Sequence, residues 1–438
     1  MIKISKFGGS SVADSKQFQK VKVIVESDPD RKYIVVSAPG RLSSDSSKIT
    51  DLLYLLDAHR QYHVDASVLT GMIAERYGEI KNTLQIDYPI EQELETFFSE
   101  YKKMSQAEIV SRGEYFCARL MAAYLGYDFI DAKDVICFNH DKTVDFEKTS
   151  ETLRRRMIGH PRFVFPGFYG ADENGRIILF PRGGGDISGA VLARCMEADI
   201  YENWTDVSGF LTADPRIVKD PKPITNITYS ELRELSYMGA GVLNEETVFP
   251  VRDSDIPIHI LNTNRPQDPG TVIRERIEEK GPPVTGIAGK RGFTSIFIYK
   301  HNMSGEIGYI RKVLSVFEKY GVSIEHIPTG IDSFNLVVNE QDVEEDLYAI
   351  LNEIRQQYEP DEIRTESGLA MVSTVGRSMS NTPGVSGKLF SALGNSDINI
   401  KMIAQNSDEI NITICVEDKD FKKTIQIIYD TFIREENA

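Results

Sequence analysis

Cysteine is scarce in this chain and does not cluster: Cys117, Cys137, Cys195 and Cys415 stand far apart with no C-x-x-C spacing. A disulfide framework or zinc site is therefore not expected, and reduced thiols in a cytosolic setting are. Long apolar runs are missing too. No stretch of about 18 consecutive apolar residues occurs, so no membrane-spanning helix is expected. Positive charge is in deficit, with 50 Lys and Arg against 66 Asp and Glu and a formal net charge of −16. With no local basic patch to override that balance, nucleic acid and anionic membranes are not expected as partners. The phosphate-binding pattern G-x-x-x-x-G-K-[ST] is absent. Met1-Ile2-Lys3-Ile4-Ser5-Lys6 alternates like a strand and has no apolar signal-peptide core, which adds to the expectation of a cytoplasmic protein.

What is present is 438 residues of ordinary soluble composition, 41% hydrophobic and 26% charged, enough for roughly two to four folded units. Up to about residue 275, short β-branched runs alternate with helical stretches, the pattern of an α/β domain with a mainly parallel sheet. Strands are expected at Tyr33–Val36, Phe163–Phe165, Ile177–Phe180, Ile200–Asn203 and Ile256–Ile260, and mostly helix between Ile49 and Leu125. Glu278-Glu279-Lys280-Gly281-Pro282-Pro283 interrupts regular structure, so the expected division is 1–280 and 285–438. Beyond it, the pattern from Gly308 to Ile324 recurs about 76 positions later from Gly384 to Ile400. Each copy, at about 292–360 and 368–438, reads as a βαββαβ unit. Such copies serve either as packing modules or as ligand sensors, the glycine turn before each first helix suiting a carboxylate.

Four segments carry chemistry. Lys6-Phe7-Gly8-Gly9-Ser10-Ser11 follows the first strand, and reads either as a phosphate cradle with a cation or as an ordinary strand-to-helix turn. Pro181-Arg182-Gly183-Gly184-Gly185-Asp186 sets three glycines between a strand and a helix, with Arg182 suited to fork onto a carboxylate. Asp186 reads either as a helix cap or as the group that orients Lys6 or a magnesium-held water. Thr205-Asp206 through Asp214-Pro215-Arg216 puts two acids and an arginine in one loop, suited to a ribose or metal and to a phosphate, or simply to a turn. Ser111-Arg112-Gly113-Glu114 holds a glycine inside a helix, a hint of close packing, beside a glutamate that either receives an ammonium or is merely solvated.

Together these segments resemble the aspartokinases of the amino-acid-kinase family, with their K-F-G-G-[ST]-S, R-G-G-x-D and T-D-x-x-G-x-x-T-x-D-P-R marks in this order. The duplicated tail resembles their ACT-type regulatory domains, helped by Ser380-Asn381-Thr382-Pro383-Gly384-Val385 and by Gln405 to Ile412. The resemblance implies an amino-acid-kinase fold, an open, mainly parallel sheet sandwiched by helices, followed by two ferredoxin-like ACT-type domains. It implies transfer of the γ-phosphoryl group of ATP to the β-carboxylate of L-aspartate, the first step of lysine, threonine and methionine synthesis, with Mg²⁺ carried mainly by the ATP phosphates and no separate protein metal site. Feedback inhibition, by L-lysine, and a homodimer or dimer of dimers through the ACT-type domains are also implied.

Carried over by motif, the catalytic roles fall on Lys6 and Asp186, and aspartate binding on Ser37, Thr50, Glu114, Arg182 and Gly185. Nucleotide contacts fall on Lys6, Gly8, Gly9, Ser10, Thr205, Asp206, Leu211, Asp214 and Arg216. Effector contacts fall on Met303, Glu306, Gly308, Tyr309, Ile310, Ser323, Ile324 and Glu325, with Glu325 facing the effector's side-chain ammonium. Three positions depart from the family pattern. Gly185 replaces a small hydroxyl residue, Gly241 a nucleotide-contacting lysine, and Leu211 a residue often aromatic. Two rival readings remain open at this point: a different acyl-phosphate kinase, such as a glutamate kinase, and a catalytically silent amino-acid sensor.

Overall fold

The β-branched and aromatic runs form strands buried on both faces, as a parallel sheet covered by helices requires. The structure, a computed structural model, describes residues 1–181, 183–241, 249–279 and 281–434. For these residues the chain divides into two compact units. One comprises Met1–Phe210, Thr225–Tyr229 and Val242–Ile277; the other comprises Leu211–Ile224, Ser230–Gly241 and Glu278–Ala438. Two stretches that precede Glu278 thus group with the C-terminal region.

In chain order the first part runs β1 (Lys3–Phe7), α1 (Ser15–Glu26), β2 (Tyr33–Val36), α2 (Ile49–Gln61), α3 (Ser67–Leu84), α4 (Ile90–Glu100), α5 (Gln106–Leu125), β3 (Asp128–Phe129) and α6 (Phe146–Met157). It continues with β4 (Phe163–Pro166), β5 (Tyr169–Ala171), β6 (Ile177–Leu179), α7 (Gly184–Cys195), β7 (Ile200–Thr205), β8 (Phe210–Leu211), β9 (Pro223–Ile224) and β10 (Asn226–Thr228). Then come α8 (Tyr229–Tyr237), α9 (Phe249–Arg252), β11 (Ile258–Asn262) and β12 (Thr271–Arg274). The large sheet has the order β10-β12-β11-β7-β1-β2-β4-β3, and only the β11–β12 pair is antiparallel.

The register between β1 and β7 matters most, because it pairs Ser5 with Glu202 and Lys6 with Asn203. Side chains alternate across a strand, so the two pairs point to opposite faces. On the first face Glu202 is buried and fully engaged. Arg31 forks onto it at 2.9 and 3.2 Å, and Ser5 Oγ and the Trp204 indole N–H each donate at 2.9 Å. A slip of one residue would strand that carboxylate, so this network locks Lys6 onto the other face.

Helix α5 begins with a reciprocal cap between Ser105 and Glu108 and ends at Gly126 in the left-handed conformation. The close packing expected at Gly113 is present: a Cβ there would lie 2.9 Å from Ala38 Cβ and 3.1 Å from Leu53 Cδ1.

The second unit is built on β13 (Gly286–Tyr299), α10 (Tyr309–Lys319), β14 (Ser333–Asn339), α11 (Glu340–Val343), α12 (Leu347–Tyr358), β15 (Glu362–Val375), α13 (Val385–Gly394), β16 (Met402–Ala404), β17 (Asn411–Glu417) and α14 (Phe421–Tyr429). Its antiparallel sheet has the order β14-β13-β15-β17-β16. The sequence copies share strands: one end of the long β13–β15 pair covers the core with α10 and α12, and the other end covers the core with α13 and α14. Between α10 and β14, where the βαββαβ pattern calls for a strand, the described residues form two isolated bridges, His326 to Val337 and Thr329 to Phe334. Pro328 between them has no N–H to extend the ladder.

Replacing Gly113 by Ala sets a helix preference of about 1 kcal/mol against overpacking of about 1–3 kcal/mol. Because the neighbouring atoms are buried and close, thermal melts of Gly113→Ala are expected to show a net loss of about 1–2 kcal/mol. An unchanged or raised melting temperature would contradict the packing described.

Candidate active site

The carboxyl ends of parallel strands are where open α/β sheets bind ligands, and four neighbouring strands, β7, β1, β2 and β4, present their ends here. Lys6 near the end of β1 is 6% exposed, and its Nζ lies 2.5 Å from Asp186 Oδ1. Asp186 is not the helix cap. Gly183, at φ +85°, precedes the first residue of α7, and the Asp186 carboxylate is taken instead by Lys6 and by Asn203 Nδ2 at 2.9 Å. A Cβ at Gly185 would fall 2.7 Å from Ser37 Oγ and 3.5 Å from Lys6 Cε. Lys6, Ser37, Gly185 and Asp186 are therefore in one place, and Ser37 fills the space that a hydroxyl side chain at position 185 would need.

Loop glycines make this approach possible. A Cβ at Gly40 would be 2.7 Å from the Gly9 carbonyl carbon, and one at Gly167 would be 3.0 Å from Gly185 Cα. Gly8 donates its N–H to the Trp204 carbonyl at 3.0 Å, so that amide is committed. Gly9 and Ser10 open the 3₁₀ turn Gly9–Val12, where first-turn N–H groups have no intrahelical acceptor.

Glu114 is buried rather than solvated, at 5% exposure, and among the described residues its Oε2 has no hydrogen-bond partner. Loss of water pushes its carboxyl up to about 8, an effect partly opposed by backbone N–H groups, that of Ala38 first. Ala38 directly follows Ser37, and Ile49, next to Thr50 at the start of α2, would lie 3.4 Å from a Cβ at Gly113. An unfolded glutamate ionises near 4.5. Between about pH 4.5 and about 8 the folded state therefore holds a proton that the unfolded state has lost, and this group's contribution to stability falls as pH rises through that window. A ligand ammonium would reverse the preference and favour the carboxylate. Arg182 lies outside the described residues.

Thr205 ends β7, and its Oγ1 donates to Asp206 Oδ1 at 3.2 Å. Leu211, Asp214 and Arg216 belong to the second unit, where Asp214 and Arg216 clasp each other at 2.7 to 3.1 Å. That bond holds the Asp214 carboxyl below its usual range. Among the described residues, a Cβ at Gly241 would meet nothing within 4 Å, so none of them crowds out the missing lysine.

Among the residues assigned to an effector, Met303 and Tyr309 are buried in the core under α10 and α12. Gly308 precedes α10 at φ +78°, and Ile310 lies in its first turn. Glu306 pairs with Lys312 at 2.8 Å and Lys300 at 3.1 Å. Ser323 is exposed and Ile324 half-buried. Glu325 accepts the Tyr237 hydroxyl at 2.5 Å.

Sequence reasoning missed three residues. Asn203 and Tyr201 both hold Asp186, Tyr201 by donating its hydroxyl to the Asp186 carbonyl at 3.1 Å. The available signal was the polar Asn203 inside an otherwise buried strand beside Lys6. Phe168 adopts φ +79°, a conformation a bulky side chain rarely takes, at the loop after β4. A Cβ on Gly184 would lie 2.5 Å from its ring. No sequence signal marked it.

The chain is similar to known proteins over nearly its whole length. Residues 1–262 match the model of the amino acid kinase family, and residues 372–432 match an ACT domain. Aspartokinase 3 of Bacillus subtilis is 34% identical over 449 residues, covering 98% of both chains. The crystal structure of Clostridium acetobutylicum aspartate kinase, described as an allosteric enzyme, superposes with a TM-score of 0.94 at 46% identity, covering 98% of this chain and 99% of that one. Escherichia coli aspartokinase III, solved in complex with lysine and aspartate, gives 0.77 at 26% identity, covering 99% of each. No helix among the described residues is long and apolar enough to cross a membrane. With its buried Lys6 paired to Asp186 at the strand ends and these similarities over nearly the whole chain, the chain belongs to the aspartokinases of the amino acid kinase family, which carry ACT domains.

Proposed function

We propose that the enzyme transfers the γ-phosphoryl group of ATP to the β-carboxylate of L-aspartate, giving 4-phospho-L-aspartate and ADP. The observation that carries this reading is the buried Lys6 ammonium beside Asp186, within reach of the glycine turns and of Ser37. A carboxylate oxygen of aspartate bonds to the γ-phosphorus as the bond to the β,γ-bridging oxygen breaks, and the bridging oxygen leaves on ADP. Both reactants are anions, so the work of the site is position and charge neutralisation. Lys6 meets negative charge on the transferring group. Asp186 holds Lys6 in place, and its Oδ2 makes no hydrogen bond among the described residues, which suits an oxygen that faces a magnesium-held water. Mg²⁺, when bound with ATP, spreads the phosphate charge. Glu114 receives the α-ammonium of aspartate, and Arg182 a carboxylate, as the resemblance implies. Ser37, Thr50 and Gly185 line the acceptor. Gly8, Gly9, Ser10, Thr205, Asp206, Leu211, Asp214 and Arg216 keep the nucleotide roles assigned by motif. No general base is needed, because a β-carboxylate with an ordinary pKa of about 3.9 is already ionised at neutral pH.

L-Lysine is the proposed inhibitor, acting on the ACT-type region with Glu325 receiving its side-chain ammonium, in a homodimer or dimer of dimers. Escherichia coli aspartokinase III holds lysine and aspartate together, which supports this reading. The enzyme is taken to work in the cytoplasm.

A hydroxamate assay with ATP and aspartate tests the reaction, run with and without millimolar lysine. Turnover with aspartate over glutamate is expected, and Lys6→Met should lower kcat by about 10²–10³-fold. Turnover of glutamate instead, or near-full activity of Lys6→Met, would overturn the assignment, and unchanged kinetics with lysine would remove the effector.

The burial of Glu114 generates a second prediction. At pH 7 aspartate binding should release close to one proton, because its ammonium ionises a carboxyl raised to about 8. Calorimetry in buffers of different ionisation heat measures this directly. Wild type should show a buffer-dependent enthalpy and Glu114→Gln none; a buffer-independent wild type would show that Glu114 does not meet the ammonium.

A further inference from the structure

Asp186 Oδ1 accepts two donors at once, the Lys6 ammonium at 2.5 Å and the Asn203 amide at 2.9 Å. The two donors are register partners on adjacent parallel strands, so they reach α7 from the same face of the sheet. Asn203 is itself buried, at 3% exposure. An amide in that position is costly unless hydrogen-bonded, and among the described residues its Nδ2 is spent on Asp186. Tyr201, two residues earlier on the same face and fully buried, holds the Asp186 backbone carbonyl. Its ring blocks any side chain at Gly189, where a Cβ would fall 2.6 Å away. Strand β7 thus grips Asp186 at both its main chain and its carboxylate.

The double donation has a consequence for chemistry. Lys6 has two anionic claimants, Asp186 in the free site and the transferring phosphoryl group in the reacting one. An ammonium that leaves a half-buried carboxylate with no other donor leaves it unpaired, and that penalty opposes the move. We propose that Asn203 is a positioning residue: by keeping Asp186 Oδ1 hydrogen-bonded, it lets the Lys6 ammonium turn to the phosphoryl group while the carboxylate stays fixed with Oδ2 free. This rests on the reading of Lys6 and Asp186 given above. A neutral donor does this without adding charge. A second cation at 203 would compete with Lys6 for Asp186, and an apolar residue would leave Lys6 the carboxylate's only side-chain donor among the described residues.

Steady-state kinetics of Asn203→Leu, Asn203→Gln and Asp186→Asn test the proposal, each with a thermal melt. Asn203→Leu should lower kcat by about 10–100-fold, the effect of a lost hydrogen bond to a charged group, and leave the KM for aspartate within about twofold. Asn203→Gln, which keeps an amide donor, should recover most of the rate. Should Asn203→Leu fail to fold, the near-isosteric Asn203→Asp, which sets a carboxylate against Asp186, is expected to show the same loss of kcat. A kcat within twofold of wild type in Asn203→Leu would overturn the proposal. So would equal losses in the Leu and Gln variants together with a lowered melting temperature, since that outcome marks a purely structural residue. The underlying reading fails separately, if Asp186→Asn itself keeps full turnover.

Discussion

A buried ammonium held against a carboxylate at the ends of parallel strands is the contact on which the rest of the site depends. Lys6 and Asp186 are 180 residues apart in sequence and come from different elements, β1 and α7. Nothing local brings them together; the register of β1 against β7 does. That register is secured on the opposite face by Glu202, whose oxygens are engaged by Arg31, Ser5 and Trp204. Burying so many polar groups is tolerable only because they satisfy one another. The network's contribution is therefore specificity of strand pairing as much as stability. It decides which face of the sheet Lys6 looks from.

The second constraint is that Lys6 and Glu114, both buried near this site, are neutralised before any ligand arrives. Lys6 is balanced by Asp186, and Glu114 by its own retained proton. An acceptor bearing both an ammonium and carboxylates changes this balance at each point. It supplies the counter-charge that allows Glu114 to ionise, and the nucleotide supplies an alternative anion for Lys6. The glycines belong to the same design. Gly9 against Gly40, Gly167 against Gly185 and Gly113 against Ala38 are places where side chains would hold the loops apart, and the charged groups would then lose the short distances on which their interactions rely.

Much of this was legible in the amino-acid order. The strand at Lys3–Phe7 was expected from its alternation, and the glycines at 183–185 and the helix-interior Gly113 were expected to mark close approach, which the structure shows at Gly184, Gly185 and Gly113. The burial of Glu114 was not legible, because a glutamate in a helical stretch is usually solvated and only tertiary packing removes its water. Asn203 was missed for a related reason: its role exists only once β7 lies beside β1 in register. Phe168 has no signature at all, since a left-handed backbone at a phenylalanine is imposed by its neighbours. In the C-terminal unit the repeat was visible, but the sharing of the long strands β13 and β15 between the two copies was not. Periodicity reports a strand and says little about which half pairs with which partner.

A double-mutant cycle on kcat across Lys6→Met and Asp186→Asn tests the central contact most directly. If the two side chains act as one unit, each single substitution should remove most of the rate, and the double variant should be little slower than the worse single one. Losses that simply multiply would show that Lys6 and Asp186 act independently, and would contradict the account.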